Sequence, residues 1–541
     1  MTAMRAFGYA PPIHGAHTGE RESALSLRDR LVPPMPPPSI WGWAGPLLVT
    51  LFGGFLRFYR LGIPHAVVFD ETYYVPDAYG ILTHGVELNA VDSSKSRAVV
   101  DNLLAHGSTH ILTNTGEYVV HPPLGKVLIA SGEWLFGLTP FGWRFAVAVI
   151  GTLSILLLAR ITRRMTRSTL LGCVAGLLMS LDGLELVLSR TAILDIFVMF
   201  WTLAAFGMLV LDRDAARAKL VDAAIAAGAT GAAGEELEGG GPQLGIRWRR
   251  VLAGVFLGFA CASKWNGIWF VLAFGLMAIA WDLGARRALG YKDRLVGALR
   301  SDVKWLPVTF LVVPFAAYTA SWSGWFASSL GYDRNWAALA GNHTPIWSTV
   351  DSWYQYQKSM LSFGLGLTSH AGYVSEPWSW LYLGRPVSFF YAAPRGCGAS
   401  SCSQEVLAIG TPAIWWASIL ALAFCIGWWI SRRDWRAGAV LAGVAAGWLP
   451  WFWFALHDQR TEYYFYAVAF LPYLVIAITL CLGLIIGPVD APPGRRAVGA
   501  VVAGAYLLLV VANFAYLYPV LTAQVLPYEF WRQRMWFNSW I

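Results

Sequence analysis

The stretch Phe69-Asp70-Glu71-Thr72-Tyr73-Tyr74 sets two adjacent carboxylates just beyond the first hydrophobic span, in a chain with few charges to spare. Some fifty residues later, His121-Pro122-Pro123-Leu124-Gly125-Lys126 leads back toward the next span. An acidic pair and basic groups bracketing one loop at a membrane surface suit chemistry on a lipid-borne phosphate. A carboxylate partly desolvated at the bilayer boundary has a raised pKa, which makes it a better general base. Neighbouring residues on a helix or turn point in different directions, so Asp70 and Glu71 are expected to divide their roles. One accepts a proton while the other orients the acceptor or holds a cation. An acidic pair at an ordinary helix start carries the same local signature.

The remaining polar groups at span edges are Arg144, Asp182, Glu185, Arg190, Asp195, Lys264 and Arg460. Ionisable groups at membrane depth are costly and face a cavity or a partner. Arg144 follows directly from the first external loop and is the best placed guanidinium to neutralise a leaving phosphate. Lys126, at a helix start fixed by two prolines, could reach a phosphate oxygen or simply snorkel. Arg190 and Asp195 are expected to pair with each other near a helix end. The chain has no HExxH, Walker A or GxSxG motif, which disfavours metalloprotease, ATPase and hydrolase chemistry. Asn342-His343-Thr344 is a weak sequon in an external segment.

The elements that must position these groups are hydrophobic helices. Of 541 residues, 56% are hydrophobic and 13% charged, with a mean hydropathy of +0.50. Soluble domains carry roughly twice that charge, about 25%. The 28 Trp, 22 Tyr and 29 Phe fit aromatic belts at helix ends. The expected class is an all-α polytopic membrane protein with spans near 40–57, 141–160, 169–188, 192–211, 250–263, 266–283, 304–320, 408–430, 437–454, 464–487 and 498–520, ten or eleven in all. Eleven places every Arg-rich stretch (160–167, 247–250, 286–294, 432–436, 495–496) on the cytoplasmic side, with roughly 25 of the 40 Lys and Arg. The net charge of +8 is therefore read as topology, with no nucleic-acid role.

Residues 1–38 read as a disordered cytoplasmic tail and 39–541 as the catalytic membrane domain. Two large external segments follow, 59–140 and 321–407. Within the first, 127–136 reads as an amphipathic interfacial stretch. Residues 215–241 read as a flexible cytoplasmic linker or weak helix. Cys397 and Cys402, in an external Gly/Ser-rich loop, are expected to form a disulfide, since that compartment is oxidising. No metal site is expected, because no further His or Cys accompanies them.

With these residues in hand, the chain resembles the protein O-mannosyltransferase family, specifically its bacterial, actinobacterial-type members. The resemblance lies in Phe69–Tyr74, in His121–Lys126 with Val127-Leu128-Ile129, and in Ser189-Arg190-Thr191-Ala192-Ile193-Leu194-Asp195. Ser263-Lys264-Trp265-Asn266-Gly267 and Ser375-Glu376-Pro377-Trp378-Ser379-Trp380 with Arg385-Pro386 continue it in order. It implies a GT-C glycosyltransferase fold, a polyprenyl-phosphate-mannose donor and Ser or Thr of exported proteins as acceptors. It implies Asp70 as general base, with Glu71 and Arg144 supporting catalysis and donor binding. Lys126, His121, Lys264 and Arg460 are matched to the donor phosphate by motif and charge. Tyr73, Tyr74, Arg190 and Trp378 are expected to support the acceptor or the loops. No cofactor is expected, the lipid-linked sugar being a substrate. The implied setting is the bacterial plasma membrane, multi-pass, with the N-terminus cytoplasmic and the active site external. Expected partners are the donor, Ser/Thr-rich secreted proteins, membrane lipid and the export machinery.

One departure is clear. Eukaryotic members carry a MIR domain in the large external loop, whereas 321–407 is too short to hold one. Rival readings are a GT-C enzyme with a lipid or cell-wall glycan acceptor, a metal-dependent oligosaccharyltransferase-like enzyme, and a secondary transporter using Asp70 and Glu71 as ion sites. Transporters usually place such charges near the bilayer midplane, and this pair sits at a span's external end.

Overall fold

The computed structural model describes residues 27–92, 97–232, 234–344, 346–368, 372–458 and 460–541. Eight helices among these are long and apolar enough to cross a membrane: Pro140–Thr166, Asp195–Ala226, Trp265–Ala288, Arg294–Ser321, Pro412–Arg432, Trp435–Asp458, Tyr464–Ile486 and Pro493–Leu521. Their outward faces are apolar, with Leu420, Val501 and Leu508 each more than two-thirds exposed. That is the pattern of a surface solvated by lipid. The three other expected spans are helical but fall outside this set: Trp41–Phe58, Thr169–Ser180 and Trp248–Ser263.

The expected span at 169–188 is broken in two. Asp182 takes an extended backbone, and its carboxylate caps the Gly183–Leu188 helix by accepting from the Glu185 N–H. The same carboxylate accepts from the indole of Trp415 at 2.8 Å and the N–H of Thr411 at 3.2 Å. A helix cannot run through a residue whose side chain competes for the next turn's amides. Capping also sets the entry of Pro140–Thr166, where Pro140 occupies the first turn and Thr139 accepts from Gly142.

At one end of the bundle the Arg-rich stretches meet aspartates. Arg247 and Arg250 donate to Asp212 and Asp282 at 2.5–3.2 Å, and Arg286 reaches Asp302 at 3.1 Å. Arg164 and Arg167 share Asp214. Asp214 lies 19 residues along its helix from Asp195, about 29 Å at the α-helical rise. The ion-pair end and the Asp70 end are thus separated by roughly a bilayer core.

Two expectations for this end change. Residues 1–26 of the expected tail lie outside the described residues, but Leu27–Leu31 is a short helix with Leu27 and Leu31 buried. Residues 215–241, expected as a flexible linker or weak helix, are helical as far as Ala226, because Ala216, Leu220, Val221 and Ala224 form an apolar stripe. That stripe packs with Leu27, Leu31, Ala285, Leu289 and Tyr291.

The 59–140 segment folds onto the opposite end. It holds the Glu71–His84 helix, an antiparallel pair Leu88–Ala90 with Leu112–Gly116, the Arg97–Ala105 helix and the Leu124–Phe136 helix. Trp134, Leu135 and Phe136 of the last are exposed, in keeping with the expected interfacial stretch. The second segment contains the Trp347–Gly366 helix and a hairpin, Val387–Ala392 with Cys402–Ala408. A disulfide joins Cys397 to Cys402 across the hairpin loop, and Leu526–Pro527 adds a third strand beside Cys402 and Ser403.

Removing one partner from a buried ion pair strands the other charge and costs about 3–5 kcal/mol. Asp282→Ala removes the carboxylate that Arg247 and Arg250 share with Asp212 and is expected to destabilise the bundle by about 3 kcal/mol. Thermal unfolding in detergent reads this directly, and an unchanged midpoint would show that the remaining aspartates suffice.

Candidate active site

Glu71 and Arg144 form the rigid floor of the site. The guanidinium meets the carboxylate side-on, with Nε to Oε1 at 2.7 Å and Nη2 to Oε2 at 2.8 Å. Its other N–H groups donate to the carbonyls of Leu61, Pro64 and Ala66. All five donors of Arg144 are therefore engaged, and the side chain is 1% exposed. Glu71, fully buried, also accepts from the N–H of Val68 at 2.9 Å and of Ala192 at 3.0 Å. The expectation that Arg144 neutralises a departing phosphate gives way: no donor is left to offer.

Asp70 is one residue away and differs in every respect. It is partly exposed, and the Tyr74 hydroxyl, one helical turn on, hydrogen-bonds its carboxyl. Lys264 and Asp195 lie close enough to act on it electrostatically. Burial pushes the Asp70 carboxyl up to about 6, with Lys264 pulling down, Asp195 pushing up and the Tyr74 bond pulling down. Phe69, just before it, has φ of 51°, a left-handed conformation that bulky side chains rarely adopt. Its ring stacks on Phe389 at 4.4 Å and meets Phe465 and Tyr463 edge-on. Those contacts hold the strained residue that precedes the two carboxylates.

The basic groups sort the same way. Lys264 pairs with Asp195 through both carboxylate oxygens at 2.9 and 3.0 Å and lies 4.3 Å above the Tyr466 ring. Arg460 is partly exposed, donates to the carbonyls of Gly364 and Thr461, and lies over Trp451. His121 packs against Tyr74 with ring centroids 6.1 Å apart. Burial, aided by Lys264, Lys126 and Arg460, holds its imidazole well below its usual pKa, so it is neutral.

Lys126 and Arg190 are structural. Lys126 is fully buried, with Glu87 at 2.6 Å, Asp77 at 3.7 Å and the His121 carbonyl at 3.0 Å. It ties the helix behind Asp70 to the loop carrying His121 and has no open path to a phosphate. Arg190 donates to the carbonyls of Leu56, Arg57, Tyr59 and Arg60, closing the end of the Trp41–Phe58 helix. The expected Arg190–Asp195 pair is not formed, since Asp195 belongs to Lys264. Glu185 pairs with Arg57 and accepts from Ser189. Tyr73 is 46% exposed with Arg97 over its ring, and Trp378 is 45% exposed on a separate groove. No group of three or more His, Cys, Asp or Glu able to hold a metal occurs among the described residues.

The site thus contains Asp70, Tyr74, His121, Asp195, Lys264 and Arg460. Sequence reasoning missed Tyr466 and the Asp77–Lys126–Glu87 bridge, whose members lie in unrelated positions with no shared spacing.

A bundle of apolar helices with its polar cluster beneath the 59–140 and 321–407 segments defines a membrane glycosyltransferase fold of the GT-C type. It aligns with a chain of the Saccharomyces cerevisiae protein O-mannosyltransferase Pmt1-Pmt2 complex bound to the sugar donor, at a TM-score of 0.67 and 15% identity over 93% of each chain. Residues 138–234 match the family model for dolichyl-phosphate-mannose-protein mannosyltransferase. Residues 349–540 match that for the C-terminal four TMM region of protein-O-mannosyltransferase. Polyprenol-phosphate-mannose–protein mannosyltransferases of Mycobacterium tuberculosis and Corynebacterium glutamicum are 40% and 34% identical to it. The alignments cover 92% and 96% of this chain and 92% and 99% of theirs. The chain belongs to the protein O-mannosyltransferase family.

Arg144→Lys keeps the charge but has three donors in place of a planar five-donor fork. It is expected to destabilise the protein by about 3 kcal/mol, as does breaking any buried pair, and to lose activity together with stability. A variant with full thermal stability and no activity would instead place Arg144 in contact with substrate.

Proposed function

We propose that this protein transfers mannose from polyprenyl-phosphate-mannose to Ser or Thr hydroxyls of exported proteins, by a single inverting displacement with Asp70 as general base. The observation that carries this is the contrast between the two carboxylates. Glu71 is saturated by Arg144 and two backbone amides, while Asp70 is reachable and its pKa lies near 6. The names of the 34–40% identical relatives support the donor and a protein acceptor.

In this reading the acceptor oxygen attacks mannose C1, and the C1–O bond to phosphate breaks as the new C1–O bond forms. The hydroxyl proton passes to Asp70, and the lipid departs as its phosphate. A serine hydroxyl is too weakly acidic to ionise first, so proton removal accompanies attack. Negative charge grows on the leaving phosphate and is met by Lys264, which acts electrostatically on Asp70, and by Arg460, which acts on His121. Neutral His121 can donate a hydrogen bond to the same oxygens without adding charge. Tyr74 orients the Asp70 carboxyl. The reaction needs no divalent ion in this scheme, because these side chains supply the positive charge. The membrane is the bacterial plasma membrane, with the Asp70 end outside.

General-base catalysis is worth about 10²–10⁴-fold. Asp70→Asn is expected to lower kcat by about 10³-fold and leave binding of the donor lipid within a few-fold. Equal loss of binding and turnover would remove Asp70 from the base role. Only the ionised carboxylate accepts a proton, so wild-type kcat/KM should rise with pH up to about 6 and level above it. A profile flat between pH 5 and 7 would contradict the assignment. Transfer should survive EDTA, and loss of activity restored by a divalent cation would favour the metal-dependent alternative.

A further inference from the structure

The 321–407 segment carries a helix with an apolar outer face. Trp347–Gly366 turns Ser352, Tyr356 and Met360 inward, each at most 1% exposed. Tyr356 and Met360 pack with Trp322, Trp325 and Val119, and the Tyr356 hydroxyl accepts from the Val119 N–H at 3.0 Å. The opposite face presents Trp347, Val350, Tyr354, Leu361 and Leu365 at helical spacing, all exposed, with Trp347 at 65% and Tyr354 at 67%. A helix whose outer side meets water carries charged and polar residues there. Here the charges at the edge of the stripe are Asp351 and Lys358, which cancel.

That face lies at membrane depth. The ring of Trp353, near the middle of the helix, is 6.3 Å from Phe315 and 5.8 Å from Phe326. Phe315 sits six residues inside the end of the Arg294–Ser321 span, about 9 Å at the α-helical rise. With Leu311 and Val312 it is exposed on that span's apolar outer side. A mostly apolar groove of about 710 Å³ runs along Phe315, Thr319, Ser323 and Phe326 with three alanines. The apolar surface therefore continues from the bundle to the helix. Eleven residues after Trp353, about 16 Å along the helix, the Gly364 carbonyl accepts from Arg460 at 2.7 Å. Arg460 follows the Trp435–Asp458 span. A helix tied to the same ends of two spans runs along the membrane surface.

We propose that Trp347–Gly366 is an interfacial helix that binds the lipid leaflet at the Asp70 end through Trp347, Val350, Tyr354, Leu361 and Leu365. Depth and continuity select lipid over another protein, since the stripe joins a surface that lipid already solvates at Phe315. Trp and Tyr favour the headgroup level, and the long stem of Lys358 lets its ammonium reach the headgroups. Because Asp351 and Lys358 cancel, headgroup charge does not select the lipid. The contact also braces the site: Gly364 holds Arg460, and Gln357 accepts from Tyr318, whose hydroxyl accepts from the Trp265 indole beside Lys264. Only this bracing role rests on the mannosyl-transfer reading.

The test uses the full chain in phosphatidylcholine vesicles. Val350→Cys, Tyr354→Cys and Leu361→Cys, each with the four free cysteines replaced by alanine, carry an environment-sensitive fluorophore. Nitroxide-bearing lipids should quench all three, more strongly with the nitroxide near the headgroup than at the chain end, since an interfacial helix sits about 5–10 Å into the boundary. Aqueous iodide should quench them less than the lipid nitroxide does. Iodide quenching that exceeds lipid quenching places the helix in water and overturns the proposal. Protection from both quenchers shows that polypeptide covers the stripe and overturns it equally. A photoreactive acyl chain in vesicles of the wild-type protein should label peptides from 347–366, and this carries the test if the substituted background does not fold. Absence of label there also overturns the proposal. These readouts report lipid contact and not turnover, so their failure leaves mannosyl transfer standing, and a wild-type protein without transferase activity leaves the lipid contact standing.

Discussion

A single guanidinium fixes the geometry around Asp70. Arg144 converts five N–H groups into five fixed distances, two to Glu71 and three to the carbonyls of Leu61, Pro64 and Ala66. Those carbonyls belong to the turn leaving the first apolar helix, which Arg190 closes from the other side through four more carbonyls. A loop at a membrane boundary cannot satisfy its backbone with lipid, and two arginines do it instead. The outcome is a turn that holds Phe69 in a left-handed conformation, ahead of two adjacent carboxylates with different partners.

Charge in this protein falls into two populations. One is consumed internally: Glu71 with Arg144, Lys126 with Glu87 and Asp77, Glu185 with Arg57, and the Arg–Asp cluster at the far end. The other gathers at the opposite end of the bundle, with Asp70, Lys264, Asp195 and Arg460 beside Tyr74, His121 and Tyr466. The first population is what permits the second. The carboxyl of Asp70 keeps its environment because its neighbours are themselves held, Lys264 by Asp195 and Glu71 by Arg144.

Much of the architecture was legible because hydropathy and Arg placement are properties of single segments. The helices lie near the expected spans, and the Arg-rich stretches do share one end. The break at Asp182 was not legible, since it depends on Trp415 and Thr411, more than two hundred residues away. The helix extension to Ala226 was hidden because its apolar stripe is matched by Leu27 and Leu31, inside a segment whose composition suggested a tail. At the site, the motif residues were the right ones to suspect, but their roles were not all readable. Arg144 and Lys126 have the chemistry to bind phosphate, and their donors here go to Glu71, Glu87, Asp77 and backbone carbonyls.

The strand Leu526–Pro527 follows every apolar helix in the chain, yet it completes the sheet that begins at Val387. Beyond it Trp531 donates to Glu405, and Trp540 is buried with its indole on the Leu383 carbonyl. The groove beside Trp378 is therefore closed by polypeptide that leaves the ribosome after the whole bundle. During biogenesis the helices can insert and pack while this wall is still missing. Loss of a dozen residues there, by a late frameshift or by trimming, would leave an inserted, folded bundle with its Asp70 end intact and one side of the cap unbuilt.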